Sequence, residues 1–186
     1  MRPRRVIERR ARIFLGCEGE SEQGYGAFLQ RLTDAHELKV HIAVTNLQPA
    51  GDPLKLAKKA VLKSAQEASK GGFIAKAIML DTDRLADLRD GGREARELLS
   101  REGFITIWQR PDHEGFLFRH FQGRERHDPH PGSSMAALQR VWPGYHKNMP
   151  AVDLRAKLDL DDVLRAAGVE TELMKLLRVI GLSRPD

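Results

Sequence analysis

Carboxylates gathered at the ends of two separate apolar runs are the side chains in this chain best suited to chemistry. In "FLGCEGESE" (Phe14–Glu22) an apolar segment ends and releases Glu18, Glu20 and Glu22 around Gly19. Some sixty residues later "FIAKAIML" (Phe73–Leu80) runs directly into Asp81-Thr82-Asp83. Asp81 and Asp83, two apart in an extended chain, project to the same side. Ligands of a parallel sheet bind beyond the carboxyl ends of its strands, so Glu18 joins the two aspartates if the strands are neighbours. Such carboxylates repel one another and call for a cation. Oxygen-only ligands open to solvent suit Mg²⁺ or Mn²⁺, which keep waters and accept substrate phosphates. The competing reading is structural, because acidic residues at a helix start are good capping chemistry and an isolated D-x-D is common.

The elements that would position these groups follow from hydrophobic pattern. "ARIFLGC" (Ala11–Cys17) reads as a buried strand, and residues 21–32 as a helix with Tyr25, Phe28, Leu29 and Leu32 on one stripe. "LKVHIAV" (Leu38–Val44) alternates like a strand. Asp52-Pro53 opens a helix to about Ser69, with Leu54, Ala57, Val61, Ala65 and Ala68 expected inward and Lys55, Lys59 and Lys63 on another side. Phe73–Leu80 is the expected central strand, 92–102 a helix and "FITIW" (Phe104–Trp108) a fourth strand. The order β-α-β-α-β-α-β predicts an α/β fold with a mostly parallel four-stranded sheet flanked by helices. Beyond Pro111 a helical extension is expected, with helices in "HEGFLFRHF" and near 133–142, 160–167 and 171–180. The whole chain, 1–186, is expected to be a single domain with its core at about 11–110 and the extension at about 111–186.

Composition narrows the class. At 186 residues, 41% apolar and 31% charged, the chain fits one globular domain. A single cysteine, Cys17, excludes an internal disulfide framework and argues against a cysteine-based zinc ribbon. No apolar run approaches the roughly 20 residues needed to cross a bilayer, and no signal-type apolar segment is evident, so a cytoplasmic protein is expected. Net charge is +5, with Arg2, Arg4, Arg5, Arg9, Arg10 and Arg12 crowded at the start. A basic arm attracts polyanions through counterion release, which favours a nucleic acid partner over a solvated leader only slightly. No G-x-x-x-x-G-K-[ST] motif occurs, so the chain carries no P-loop of its own.

A glutamate after the first strand and a D-x-D after a later one resembles the Toprim domain. The local wording is narrower. "FLGCEGESEQGYGAFL" is similar to the "EG-x-T-E-x-x-Y" opening of RloB-like proteins, which are linked to restriction and anti-phage loci. "IMLDTDRL" resembles their D-x-D strand, and "RPDHEGFLFRHF" their "NP-x-F-E-x-W-L-x-x-H-F" segment, which brings Glu114 and His120 across. "YHK" (Tyr145–Lys147) stands where that family has a basic position. The departures are Ser21 for threonine, Arg110 for asparagine, Asp112-His113 for a more apolar pair, and Gly115-Phe116 around the customary tryptophan.

The resemblance implies a Toprim-like Rossmannoid fold and a Mg²⁺- or Mn²⁺-dependent nuclease acting on RNA (tRNA included) or DNA in anti-phage defence. It implies Glu18 as general acid or base, with Glu18, Asp81 and Asp83 at the metal. It also implies Glu22 and Glu114 at a second metal, Lys147 neutralising phosphate, and His120 in the active site. An ATPase partner and a homodimer are compatible with it, a membrane is not. A non-catalytic Toprim-like module that senses a nucleotide or nucleic acid is the alternative. His120 also reads as a buried, hydrogen-bonded packing residue. The five histidines from His113 to His146 match no zinc-binding spacing.

Overall fold

The computed structural model describes residues 9–49, 51–82 and 91–183. Four strands, β1 (Ala11–Cys17), β2 (Val40–Asn46), β3 (Ala75–Asp81) and β4 (Phe104–Gln109), form one all-parallel sheet in the order β2-β1-β3-β4. Parallel strands are covered on both faces, which is why β1 and β3 read as continuous apolar runs rather than alternations. The chain leaves β1 in one direction to make β2, then crosses to the other side to make β3. The order therefore reverses between β1 and β3, and a crevice opens at their carboxyl ends.

Helix α1 (Glu20–Ala35) packs on the face formed by Ile13, Leu15 and Cys17, burying Tyr25, Phe28, Leu29 and Leu32 completely. Helices α2 (Pro53–Ala68) and α3 (Gly91–Arg101) cover the opposite face, around Phe14, Ile78 and Leu80. The Asp52 carboxylate caps α2 by accepting from the Leu54 and Lys55 N–H groups, as the Asp-Pro signal predicts. The inward stripe of α2 differs from expectation. Leu56, Ala57, Ala60 and Ser64 are buried, whereas Ala65 and Ala68 are exposed. The helix is alanine-rich on two sides, so its apolar period alone does not fix its rotation. Arg12 and Arg10 also have structural partners. Arg12 donates to the Glu67 and Gly71 carbonyls and lies over the Phe73 ring, and Arg10 pairs with Asp34 at 2.8 Å.

The remainder, α4 (His113–Phe118), α5 (Ser134–Val141), α6 (Ala151–Lys157), α7 (Leu160–Ala167) and α8 (Thr171–Ile180), extends the core on the α1 face. Helix α6 has no counterpart among the expected elements. It buries only Leu154, so no periodic stripe announces it. The fully buried Arg119 ties the extension together through Asp128, through Glu170 at 3.2 Å and through the Arg110 carbonyl at 2.7 Å. Arg110 also reaches Glu170, at 3.4 Å, and is thereby a structural residue. Among the described residues no helix is long and apolar enough to cross a membrane.

Candidate functional site

Glu18 follows the last residue of β1 and Asp81 is the last residue of β3, so both stand at the crevice between the two strands. Beyond the last β1–β3 ladder pair (Cys17 with Met79), the Asp81 N–H donates to Glu18 Oε2 at 3.1 Å. A side-chain carboxylate thus takes the place that the next strand carbonyl would have. Thr82, the next residue, donates its N–H to the Gln109 and Pro111 carbonyls at 2.9 and 3.0 Å. Asp83 lies outside the described residues.

Glu22 enters from the first turn of α1, where its Oε2 accepts from the Gly19 N–H at 2.9 Å. Its other oxygen meets a residue that the motifs did not single out. Gln109 ends β4, fully buried, with its amide oxygen accepting from His113 Nδ1–H at 2.6 Å. The amide nitrogen then donates to Asp81 Oδ1 at 3.0 Å and Glu22 Oε1 at 3.2 Å. One neutral amide therefore joins carboxylates from β3 and α1. The signal was present in the sequence as a polar residue closing an apolar strand, at the same rim as Glu18 and Asp81.

Electrostatics follow from this burial. Loss of hydration pushes the Glu22 carboxyl above its ordinary value, against the opposing pull of its backbone donors and of Lys147. Burial pushes His113 down to about 4, although the Glu114 and Asp112 charges act to raise it. His113 is thus neutral near pH 7, and its 3.8 Å approach to Glu22 is not an ion pair. Glu114 is buried on α4 and accepts from the Tyr145 hydroxyl at 3.2 Å. Lys147 is exposed, close enough to act electrostatically on both Glu22 and His113.

The loop carrying Lys147 is fastened to α1. Ser21 Oγ donates to Asn148 Oδ1 at 3.2 Å and accepts from the Asn148 N–H at 3.1 Å. Gly24 allows the approach, since a Cβ there would lie 2.4 Å from the Met149 carbonyl oxygen. Gly115 has a similar reason, because a Cβ would meet the Arg110 carbonyl oxygen and Pro111 Cδ at 2.7 Å each. His120 sits in the packed interior. Its Nε2 accepts from the Tyr25 hydroxyl at 2.8 Å and its Nδ1–H donates to the Phe116 carbonyl at 3.2 Å. With no exposed surface, and burial holding its pKa down at about 3, it is a neutral packing residue here rather than one that meets solvent.

The structure thus brings Glu18, Glu22 and Asp81 to one rim, sets Glu114 beside Tyr145, holds Lys147 at the edge and places His120 behind Tyr25. Among the described residues no group of three or more His, Cys, Asp or Glu is arranged to hold a metal. Glu18, Asp81 and Glu22 offer carboxylate oxygens, and the Gln109 amide nitrogen lies between Asp81 Oδ1 and Glu22 Oε1. That donor chemistry fits a hard divalent cation. The chain gives no significant match to any family model, curated protein or solved structure.

Proposed function

We propose that this chain is a Toprim-type, RloB-like nuclease that cleaves phosphodiesters of RNA or DNA with Mg²⁺ or Mn²⁺, in anti-phage defence. One observation carries the reading: Glu18 and Asp81, 63 positions apart, meet at the switch point of a parallel sheet through a 3.1 Å hydrogen bond. Glu18, Asp81 and Asp83 would hold the metal, with Glu22 beside them, and the metal when bound supplies charge stabilisation at the phosphate. Glu18 would exchange a proton with an attacking or leaving oxygen, a role that its partial exposure supports. Lys147 offers the approaching phosphate a positive charge, and the Ser21–Asn148 pair keeps its loop over the first turn of α1. Gln109 and His113 orient Asp81 and Glu22 from behind. Glu114, bonded to Tyr145, supports the same wall.

A second reading is a binding module that senses a nucleotide or nucleic acid beside an ATPase partner. It is favoured by the Gln109 amide, which already satisfies two carboxylates without a metal. Purified protein incubated with labelled tRNA, single-stranded DNA and duplex DNA separates the two. The nuclease reading expects metal-dependent cleavage that Glu18→Gln and Asp81→Asn each reduce at least a hundredfold while remaining folded. Binding without turnover in all three proteins supports the module instead.

A further inference from the structure

The two edges of the sheet are finished differently. Along a strand the N–H and C=O of one residue face one neighbour, and those of the next residue face the other. On β2 the outward groups include those of Val40 and Ile42, and Gln30 of α1 covers them. Its Oε1 accepts from the Ile42 N–H at 2.7 Å and its Nε2 donates to the Val40 carbonyl at 3.4 Å. On β4 the Gln109 carbonyl turns inward to accept from the Thr82 N–H, so the backbone groups of Phe104, Thr106 and Trp108 turn outward. No group among the described residues bonds those outward N–H and C=O groups. Phe104, Thr106 and Trp108 line a groove of about 370 Å³, walled by Arg96 and Ser100 of α3 and by Glu172 and Lys175 of α8. Phe104 and Thr106 are only 8% and 9% exposed, so what this edge offers through the groove is its unbonded backbone, the template on which another strand pairs.

We infer that the β4 edge is a homodimerisation surface, on which a second copy of this chain pairs its own β4 antiparallel about a two-fold axis at Thr106. The segment Phe104-Ile105-Thr106-Ile107-Trp108 has the same order of side-chain types in both directions: aromatic, isoleucine, threonine, isoleucine, aromatic. Pairing about Thr106 sets threonine opposite threonine, Ile105 opposite Ile107 and Phe104 opposite Trp108, all favourable cross-strand pairs. The outward residues 104, 106 and 108 are then the ones that exchange hydrogen bonds, as an antiparallel ladder requires. The groove rim carries both signs in an internal pair, Lys175 donating to Glu172 at 2.7 Å, so it sets no block of like charge against its own copy. A foreign strand would need none of this symmetry, and the symmetry is what assigns the surface to a second copy.

Sedimentation of the full chain, with two variants of Thr106, tests the assignment. The wild type is expected to sediment at twice the chain mass at micromolar concentration. Thr106→Pro removes an N–H that the sheet does not use, and is expected to halve the mass while circular dichroism stays unchanged. Thr106→Cys is expected to cross-link to a dimer on mild oxidation, because hydrogen-bonded antiparallel partners have Cα atoms about 5.5 Å apart, within disulfide reach. The native Cys17 is fully buried and gives no background. A monomeric wild type, whose edge is then free for a foreign strand, overturns the assignment. So does a dimer in which Thr106→Cys fails to cross-link, a result that decides the matter even if Thr106→Pro does not fold.

Discussion

Replacing Gln109 with leucine removes one amide and three hydrogen bonds while keeping most of the side-chain volume. Asp81 Oδ1 and Glu22 Oε1 lose their shared donor, and the His113 Nδ1–H loses its acceptor. Glu22 and His113 are buried, at 4% and 3% exposure, so water cannot readily replace what they lose. Each buried group left unsatisfied costs about 1–3 kcal/mol, which for these two gives a loss of about 3 kcal/mol. For a chain of this size, 1 kcal/mol moves Tm by about 2–4 °C, so the expected fall is about 10 °C. Thermal unfolding followed by circular dichroism, with urea midpoints alongside, measures it. Added Mg²⁺ or Mn²⁺ is expected to recover part of the loss in Gln109→Leu and to stabilise the wild type less, because an ion can then take the place of the donor that Asp81 and Glu22 shared. A variant within about 0.5 kcal/mol of wild type, the range of an ordinary surface change, refutes the idea that this amide holds the carboxylates together.

Other perturbations give equally direct outcomes. His113 and His120 are held down at about 4 and about 3, so the unfolded chain takes up their protons first as pH falls below about 6.5. The stability these two provide is complete above that pH and is lost as pH drops towards 4 and then 3; a urea midpoint no lower at pH 5 than at pH 7 contradicts it. Tyr25→Phe leaves His120 Nε2 without its 2.8 Å partner in a site of no exposure, and is expected to cost about 1–3 kcal/mol in urea unfolding. An unchanged midpoint would show that the pair contributes nothing. Gly24→Ala drives a methyl against the Met149 carbonyl and is expected to cost about 1–3 kcal/mol. Because that contact seats the Lys147 loop, nucleic acid cleavage should fall with it, and full cleavage by Gly24→Ala would detach the loop from the site.

Much of the frame is legible in the sequence because its elements are locally consistent. Asp52-Pro53 marks a helix start and the apolar run of β1 a doubly covered strand, as read. Strand β3 instead runs Ala75–Asp81, two residues later at its start and one at its end than expected, with Ile74 exposed. The rotation of α2 is not legible, since Ala57, Ala60, Ala65 and Ala68 offer two alternative apolar faces and only packing against Phe14 and Ile78 chooses. The meeting of Glu18 with Asp81 was readable as a condition on strand order, and the β1–β3 pairing satisfies it. Gln109 escaped because its role depends on three partners from β3, α1 and α4, none of them near it in a recognisable motif except His113. Arg110 and His113 both have structural partners, one pairing with Glu170 and the other fixing Gln109. The arginines before Arg9 lie outside the described residues.

The central claim is that two acidic segments distant in sequence serve a single ion. Loading the protein with Fe²⁺ and triggering it with ascorbate and peroxide cuts the backbone close to wherever the ion sits. Cuts are expected in two windows at once, around Glu18 and around Asp81, with both abolished by Asp81→Asn and both competed by Mg²⁺. Cutting in one window alone, or cutting that Asp81→Asn leaves intact, would contradict the account.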